Sequence, residues 1–494
     1  MIRPRFIASA AAAVGGAAAS LGAGRFGAAV APAGAQSTTL SAAQAAPIAD
    51  AVARTMAATG TPGVSVTVAR AGEIVYAKGF GLRDVAANLP VDADTVFPIG
   101  SITKQFTAAA IMLLARDRKV RLDAKAAEYV PLAPHATEYT VRQLLQQTTG
   151  LANYTGAPAF LASVATSATI APEALVALIA REPLAFAPGT QFAYSNTNYV
   201  VLGMIVEAVA RVPYGRFIAE RIAQPLGLTH LTFGPPQGGA DVARGYEPQQ
   251  GSTAVRPWTP QATYAAGGLY AAPADLVRWD EAFFGARLLD AATVRAMTTP
   301  PQLPGGAASN YAMGWLRDDV DGHAMVWHNG AVAGANARNA YFPDQRIAVV
   351  AFGNTSSFDE VRIVREAFRA LVPPSEAQLA AERARETTPA TGEDPAITAA
   401  AKAEYERWRA GDVDPARYSA PMRAELSTMV RQVSPGLSAL GAPTVFVYRG
   451  KQLVPSLFVS TYIFRVTTPN GAVQYVYSVD REGKVAGIYF KPVP

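Results

Sequence analysis

The chain has 494 residues, half of them apolar and 16% charged, which supports a substantial core but exceeds what one core usually organises, so a large domain plus at least one smaller one is expected. It contains no cysteine, which excludes thiol nucleophiles, disulfides and thiolate metal sites together and leaves only oxygen or amine nucleophiles. Its four histidines, His135, His230, His323 and His328, are widely spaced and form no H-E-x-x-H, so neither a metal nor any other cofactor is expected.

At the N-terminus Arg3 and Arg5 precede an Ala/Gly-rich apolar run from Phe6 to Ala23, and Ala33-Gly34-Ala35 offers small residues for cleavage. Residues 1–35 therefore read as a signal peptide, and the protein as exported, periplasmic or secreted. Gly15, Gly16 and Arg25 count against a membrane anchor, so no stable span is expected once the signal is removed. Removal takes away three arginines and no acids, and the formal charge falls from +5 to +2. A nearly neutral surface without a Lys/Arg block gives no electrostatic reason for a nucleic-acid partner.

Along the chain, Ala42–Ala57 has helical character, and Pro62–Asp84 reads as a hairpin of Gly63–Val68 and Ile74–Gly81 around Ala71-Gly72. Helical patterns dominate the middle, over Pro172–Ala180, Tyr199–Ala210 and Pro273–Phe284. Strands return between Tyr311 and Gly353, at Ala324–His328, Asn339–Phe342 and Ile347–Phe352. Strands at both ends with helices between predict one α/β body whose sheet is closed by distant segments, with a helical insertion. From Val372 to Ala396 the composition turns to Pro, Glu, Ala, Thr and Arg, a linker over residues 374–396. Beyond it, helices near Ala399–Trp408 and Pro421–Val433 precede strands at Thr444–Tyr448, Phe458–Thr467, Val473–Val479 and Val485–Phe490, with Asn470-Gly471 as a hairpin turn. Residues 397–494 thus form a small α+β accessory domain, loosely similar to cystatin-like or nuclear-transport-factor-like modules. Tyr462, Phe464, Tyr475, Tyr477 and Tyr489 are its expected core.

Three stretches carry chemistry. Pro98-Ile99-Gly100-Ser101-Ile102-Thr103-Lys104 leads through a turn into a helix, with Lys104 one turn after Ser101 and on the same face. A buried lysine there loses solvation, its pKa falls, and it can accept a proton from the serine. Taken alone, S-x-x-K arises by chance about once in such a chain, and the serine can be a simple helix cap. Second, in Tyr194-Ser195-Asn196 a phenol and an amide flank one residue, and an extended loop would present both to one cleft. A buried, capped Tyr and a loop-satisfying Asn are the plainer alternative. Third, Trp327-His328-Asn329-Gly330-Ala331 ends a strand, with a glycine that permits close backbone approach; its alternative is a solvent-facing histidine.

In this order the stretches resemble the serine β-lactamase and penicillin-binding protein superfamily, in its branch of class C β-lactamases, D-Ala-D-Ala carboxypeptidases and related esterases. Leu144 to Leu151, Ala266-Gly267-Gly268-Leu269, Pro273 to Leu276 and Val349 to Asn354 extend the resemblance, which covers about residues 45–373. It implies a β-lactamase/transpeptidase-like fold of α/β (α+β) class, an antiparallel sheet flanked by helices with a helical subdomain, plus the small C-terminal α+β domain. It further implies Ser101 as acylated nucleophile, Lys104 and Tyr194 as proton relay, the Ser101 and Ala331 amides as oxyanion hole, and Asn196, His328 and Gly330 as substrate contacts. The expected activity is a D-amino-acid peptidase, carboxypeptidase or carboxylesterase; the alternatives are a β-lactamase or a non-catalytic penicillin-binding sensor or scaffold. The expected partner is a small-molecule or peptide substrate: a peptidoglycan-like peptide, an ester or a β-lactam.

Two positions depart from the family pattern. His328 stands where β-lactamases usually place lysine, and is expected to substitute a cation titrating near neutral pH. Gln147 stands where a histidine is usual, and is expected to lie away from the chemistry.

Overall fold

The computed structural model describes residues 39–165, 169–238, 241–247, 253–255, 258–304, 309–454 and 459–493; the expected signal peptide at 1–35 lies outside them. The chain divides into two compact units at Pro373/Pro374. Each has its own hydrophobic core.

The first unit is organised by a strand whose alternation of Val64, Val66 and Val68 with Ser65 and Thr67 is buried on both faces. This strand, β1 (Gly63–Arg70), is followed by β2 (Glu73–Asp84), β3 (Leu89–Pro90), β4 (Leu316–Val320), β5 (His323–Val332), β6 (Ala335–Phe342) and β7 (Ile347–Gly353). Their order across the sheet is β3-β2-β1-β7-β6-β5-β4, antiparallel throughout. β1 and β7 come from opposite ends of the unit and pair at the centre, Val66 opposite Ala351. This is the closure by distant segments that the sequence predicts.

Helices cover both faces. On one face, α1 (Ala42–Thr59) and a helix at Val361–Leu371 bury Ile48, Val52, Ile363 and Phe368 against Val64, Val66, Val68 and Val349. The opposite face carries the helical layer, built around α2 (Thr103–Arg116) and α3 (Asn196–Ala210). Every residue of α2 from Thr103 to Leu114 is buried. A helix enclosed on all sides belongs to the deepest core, and Ser101 sits on the turn that feeds it.

The second unit contains helices at Glu376–Thr387, Pro395–Ala410 and Ala420–Leu440, and four antiparallel strands at Val445–Val454, Val459–Thr468, Gly471–Val479 and Val485–Val493. The first of these helices corrects the expected linker. Ser375 and Gln378 make a reciprocal capping box, which starts a helix inside a segment whose composition suggests none. Tyr462, Phe464, Tyr475 and Tyr477 are buried as expected, whereas Tyr489 is only half-buried. Its neighbours Ile488 and Phe490 fill the core instead, Phe490 stacking on Tyr475 at 5.0 Å. A register shift between Ser478 and Val479 alters the alternation that strict counting assumes.

Candidate active site

The chain reaches Ser101 through a 3-10 turn, Gly100–Ile102, that runs directly into α2. The turn is pressed against β5. Gly100 has φ +48, and a β-carbon there would lie 2.8 Å from the Ala331 nitrogen. At Gly330 a β-carbon would lie 1.8 Å from the Ile99 oxygen and 3.0 Å from the Ser101 nitrogen. Two glycines on facing segments thus bring the amides of Ser101 and Ala331 to the same edge of the turn.

Lys104 follows one turn later and is fully buried. Its Nζ lies 2.9 Å from Ser101 Oγ, 2.8 Å from Asn196 Oδ1 and 2.7 Å from the Ala266 carbonyl oxygen. The two oxygens on Asn196 and Ala266 can only accept hydrogen bonds. An ammonium can donate to all three neighbours, whereas a neutral amine would spend its two N–H donors on these oxygens and turn its lone pair toward the serine hydroxyl. Burial favours that state, holding the Lys104 pKa well below its ordinary value.

Tyr194 donates from its hydroxyl to Ser101 Oγ at 2.8 Å. Desolvation pushes its pKa above the ordinary 10.0, opposed by the bond to Ser101, and water at its 37% exposed surface limits the rise. At neutral pH the phenol keeps its proton. The Lys104 nitrogen also lies over the Tyr194 and Tyr199 rings, 4.9 and 5.5 Å from their centroids.

The segment bearing Tyr194 is not an extended loop through Asn196. Asn196 opens α3, with Ser195 as the extended residue before it, so the helix starts three residues earlier than Tyr199. Asn196 reaches Lys104 from the first helical turn, and its own amide groups are held by Asn153 Oδ1 at 3.2 and 3.4 Å.

Gln147 corrects a second expectation. It is fully buried directly beneath this segment. Its Oε1 accepts from the Ser195 amide at 3.0 Å and from Asn198 Nδ2, while its backbone oxygen accepts from Ala193 N at 3.0 Å. The residue clamps both ends of the Tyr194 turn. Sequence order hides this because residue 147 and residues 193–198 are joined only by the fold.

His328 is 1% exposed and packs between Tyr194 and Tyr311, with ring centroids 6.2 and 5.7 Å away. Its Nδ1 lies 2.6 Å from the Asn329 carbonyl oxygen, an obligate acceptor, so Nδ1 carries the hydrogen and Nε2 is a bare lone pair. Burial is the main cause that lowers its pKa from 6.5 to about 3. The expectation of a cation near neutral pH is therefore corrected: His328 is neutral, because it is enclosed where an isolated strand-end histidine reads as exposed.

All the sequence-predicted site residues, Ser101, Lys104, Tyr194, Asn196, His328, Gly330 and Ala331, belong to one cluster at the junction of α2, α3 and β5. Sequence reasoning missed Asn153 and the Ala266 carbonyl. A backbone acceptor has no side-chain signature, and Asn153 was legible only as a polar residue following Thr149-Gly150-Leu151.

A family model described as Beta-lactamase matches residues 48–373. A D-aminopeptidase of Cereibacter sphaeroides is 30% identical over 302 residues, 59% of this chain; the match spans 57% of that relative's length. The octameric penicillin-binding protein homologue from Pyrococcus abyssi superposes with a TM-score of 0.61 at 25% identity, covering 90% of both chains. The D-amino acid amidase from Ochrobactrum anthropi SV3, solved with D-phenylalanine, superposes with a TM-score of 0.58 at 25% identity, covering 67% of this chain and 98% of that one. With the family's features spread over nearly the whole first unit, the chain belongs to the beta-lactamase family and is an enzyme, a hydrolase.

Proposed function

We propose that this protein is a serine hydrolase that cleaves D-aminoacyl amides, short peptides and esters through an acyl-enzyme on Ser101. The observation that carries the reading is the placement of Ser101 Oγ between an amine at 2.9 Å and a phenol at 2.8 Å. Ser101 Oγ attacks the substrate carbonyl and passes its proton to the neutral Lys104. The Ser101 and Ala331 amides hold the oxyanion, a contribution commonly worth about 3 kcal/mol per donor. The Tyr194 hydroxyl supplies a proton to the departing amine or alkoxide as the acyl bond forms. Water then attacks the acyl carbonyl and gives a proton to the Tyr194 phenolate. The bond from Ser101 Oγ to the acyl carbon breaks, the carboxylic acid leaves, and Lys104 returns its proton to Ser101 Oγ.

The substrate class follows from His328. A neutral imidazole cannot anchor a terminal carboxylate as a lysine would, which favours amides and esters over free C-terminal acids and disfavours β-lactam hydrolysis. Similarity to a D-aminopeptidase and to a D-amino acid amidase supports the same direction. The pattern of residues 1–35 supports an exported enzyme, and the N-terminal sequence of the secreted protein would test it.

The decisive test is a panel of D-alanine p-nitroanilide, p-nitrophenyl acetate and a fluorescent penicillin, with peptide mass mapping. The expected result is turnover of the first two and an adduct on the Ser101 peptide, with turnover abolished in Ser101→Ala. Unchanged turnover in that variant would remove Ser101 as nucleophile.

A further inference from the structure

The Ala266 carbonyl that holds Lys104 lies in α4 (Pro260–Gly267), a helix interrupted at Tyr264, where φ is +41 and ψ −132. That conformation is strained for any residue but glycine, and strain of this kind persists only where the surroundings enforce it. The enforcement is visible in the packing. Tyr264 is 4% exposed, and its ring lies 5.3 Å from Tyr214 and 6.1 Å from Phe233, which are themselves 5.7 Å apart. On the remaining side, Gly203 of α3 leaves the space the ring occupies. A β-carbon at 203 would sit 2.5 Å from Tyr264 Cε1 and 2.4 Å from Ala265 Cβ.

The break changes where the next two carbonyls point. In an unbroken helix they would run along the axis to residues four positions on. Instead both meet α2: the Ala265 oxygen accepts from Thr107 Oγ1 at 2.7 Å, and the Ala266 oxygen accepts from Lys104 Nζ at 2.7 Å. Thr107 Oγ1 is also 2.7 Å from the Tyr214 hydroxyl, so the ring cluster and the redirected carbonyls are joined at one residue.

We infer that Tyr264 is a positioning residue for the acylation chemistry: its wedged ring holds a strained backbone that aims the Ala266 carbonyl at Lys104 and keeps the amine's lone pair on Ser101. The inference rests on the proposed roles of Ser101 and Lys104. The ring does this, since it makes the packing contacts with Tyr214 and Phe233 and fills the space that Gly203 leaves.

The test compares Tyr264→Phe, Tyr264→Ala and Tyr264→Gly in the full chain. Glycine takes a positive φ without strain and keeps the test open where alanine fails to fold. With p-nitrophenyl acetate, Tyr264→Phe is expected to stay within about twofold of the parent, because the wedge survives. The Ala and Gly variants are expected to lose kcat by about tenfold or more with little change in KM, a misplacement effect. The acid limb of their pH profile should move to higher pH, since a less constrained, better hydrated Lys104 regains its proton affinity. The 13Cε NMR signal of Lys104, followed against pH, reads the same amine without substrate, and its titration midpoint should lie at higher pH in those two variants than in the parent. Folded Ala or Gly variants with the parent titration, or a Phe variant that loses it, would overturn the inference. Absence of any Ser101 adduct in the parent would instead refute the nucleophile, and the Lys104 titration would still decide the role of Tyr264.

Discussion

At His328 the fold converts a titratable side chain into a permanently neutral one, and this leaves a thermodynamic trace. In the unfolded chain an imidazole binds a proton near pH 6.5, whereas in the folded protein His328 remains neutral to about pH 3. Between those values the unfolded state binds more protons, so stability rises with pH there and is lost as pH falls. A tenfold difference in proton affinity between the two states corresponds to about 1.4 kcal/mol, so the acid sensitivity attributable to this residue reaches a few kcal/mol. His328→Gln keeps a donor for the Asn329 carbonyl and removes the titration. Its melting temperature is expected to fall less than the parent's between pH 7 and pH 4; equal slopes would show that residue 328 is not the buried neutral group. The same residue marks a limit of sequence reading. Ser101 and Lys104 were legible because three residues along a helix fix their proximity, while the environment of His328 depends on Tyr194 and Tyr311, more than a hundred residues and 17 residues away in sequence.

Among elements, the contact of the Ser101 turn with β5 is the most demanding. The strand approaches so closely that only hydrogen fits at residue 330. Gly330→Ala is expected to push β5 off the turn, costing about 3 kcal/mol of stability and separating the Ser101 and Ala331 amides. Thermal melting and the rate of Ser101 acylation, measured together, check both consequences; a variant with parental acylation would show that Ala331 has no part in the oxyanion hole. The need for glycine at 330 was readable from its place at a strand end before a motif. The start of α3 at Asn196 was not, because Tyr194-Ser195-Asn196 has no strong side-chain cap and the helix begins there through contacts with Asn153 and Gln147. The helix at Glu376–Thr387 was readable, since Ser375 and Gln378 are a capping pair; the Pro- and Thr-rich composition around it carried more weight than that local signal.

For the molecule as a whole, the two units have separate cores. The second is built on an aromatic cluster with a buried carboxylate: Glu404 is fully buried and accepts from Arg407 at 2.9 Å, Arg417 at 3.0 Å and the Tyr418 hydroxyl. Such a network is satisfied within its own unit and needs nothing from the first. A fragment ending at Pro373 is therefore expected to fold and to acylate Ser101 within about threefold of the full chain's rate, because domains with their own cores generally fold alone. A folded fragment that has lost acylation would assign residues 374–494 a part in the reaction. The strands at both ends of the first unit, the helices between them and the C-terminal α+β unit were legible from strand and helix periodicity, and the antiparallel order of the sheet from the family resemblance. The supporting shell of the site was not, since Gln147, Asn153 and the Ala266 carbonyl act through contacts that no local pattern encodes.

The enclosure of α2 on every side has a further consequence. The helix that carries Lys104 and abuts Ser101 has no exposed face by which it could loosen separately, so its opening is tied to loss of the entire first unit. Catalytic competence and native structure then disappear together. In a heated sample at fixed pH, the fraction of activity remaining becomes a head count of intact molecules, with no reservoir of folded but disarmed enzyme to distort it.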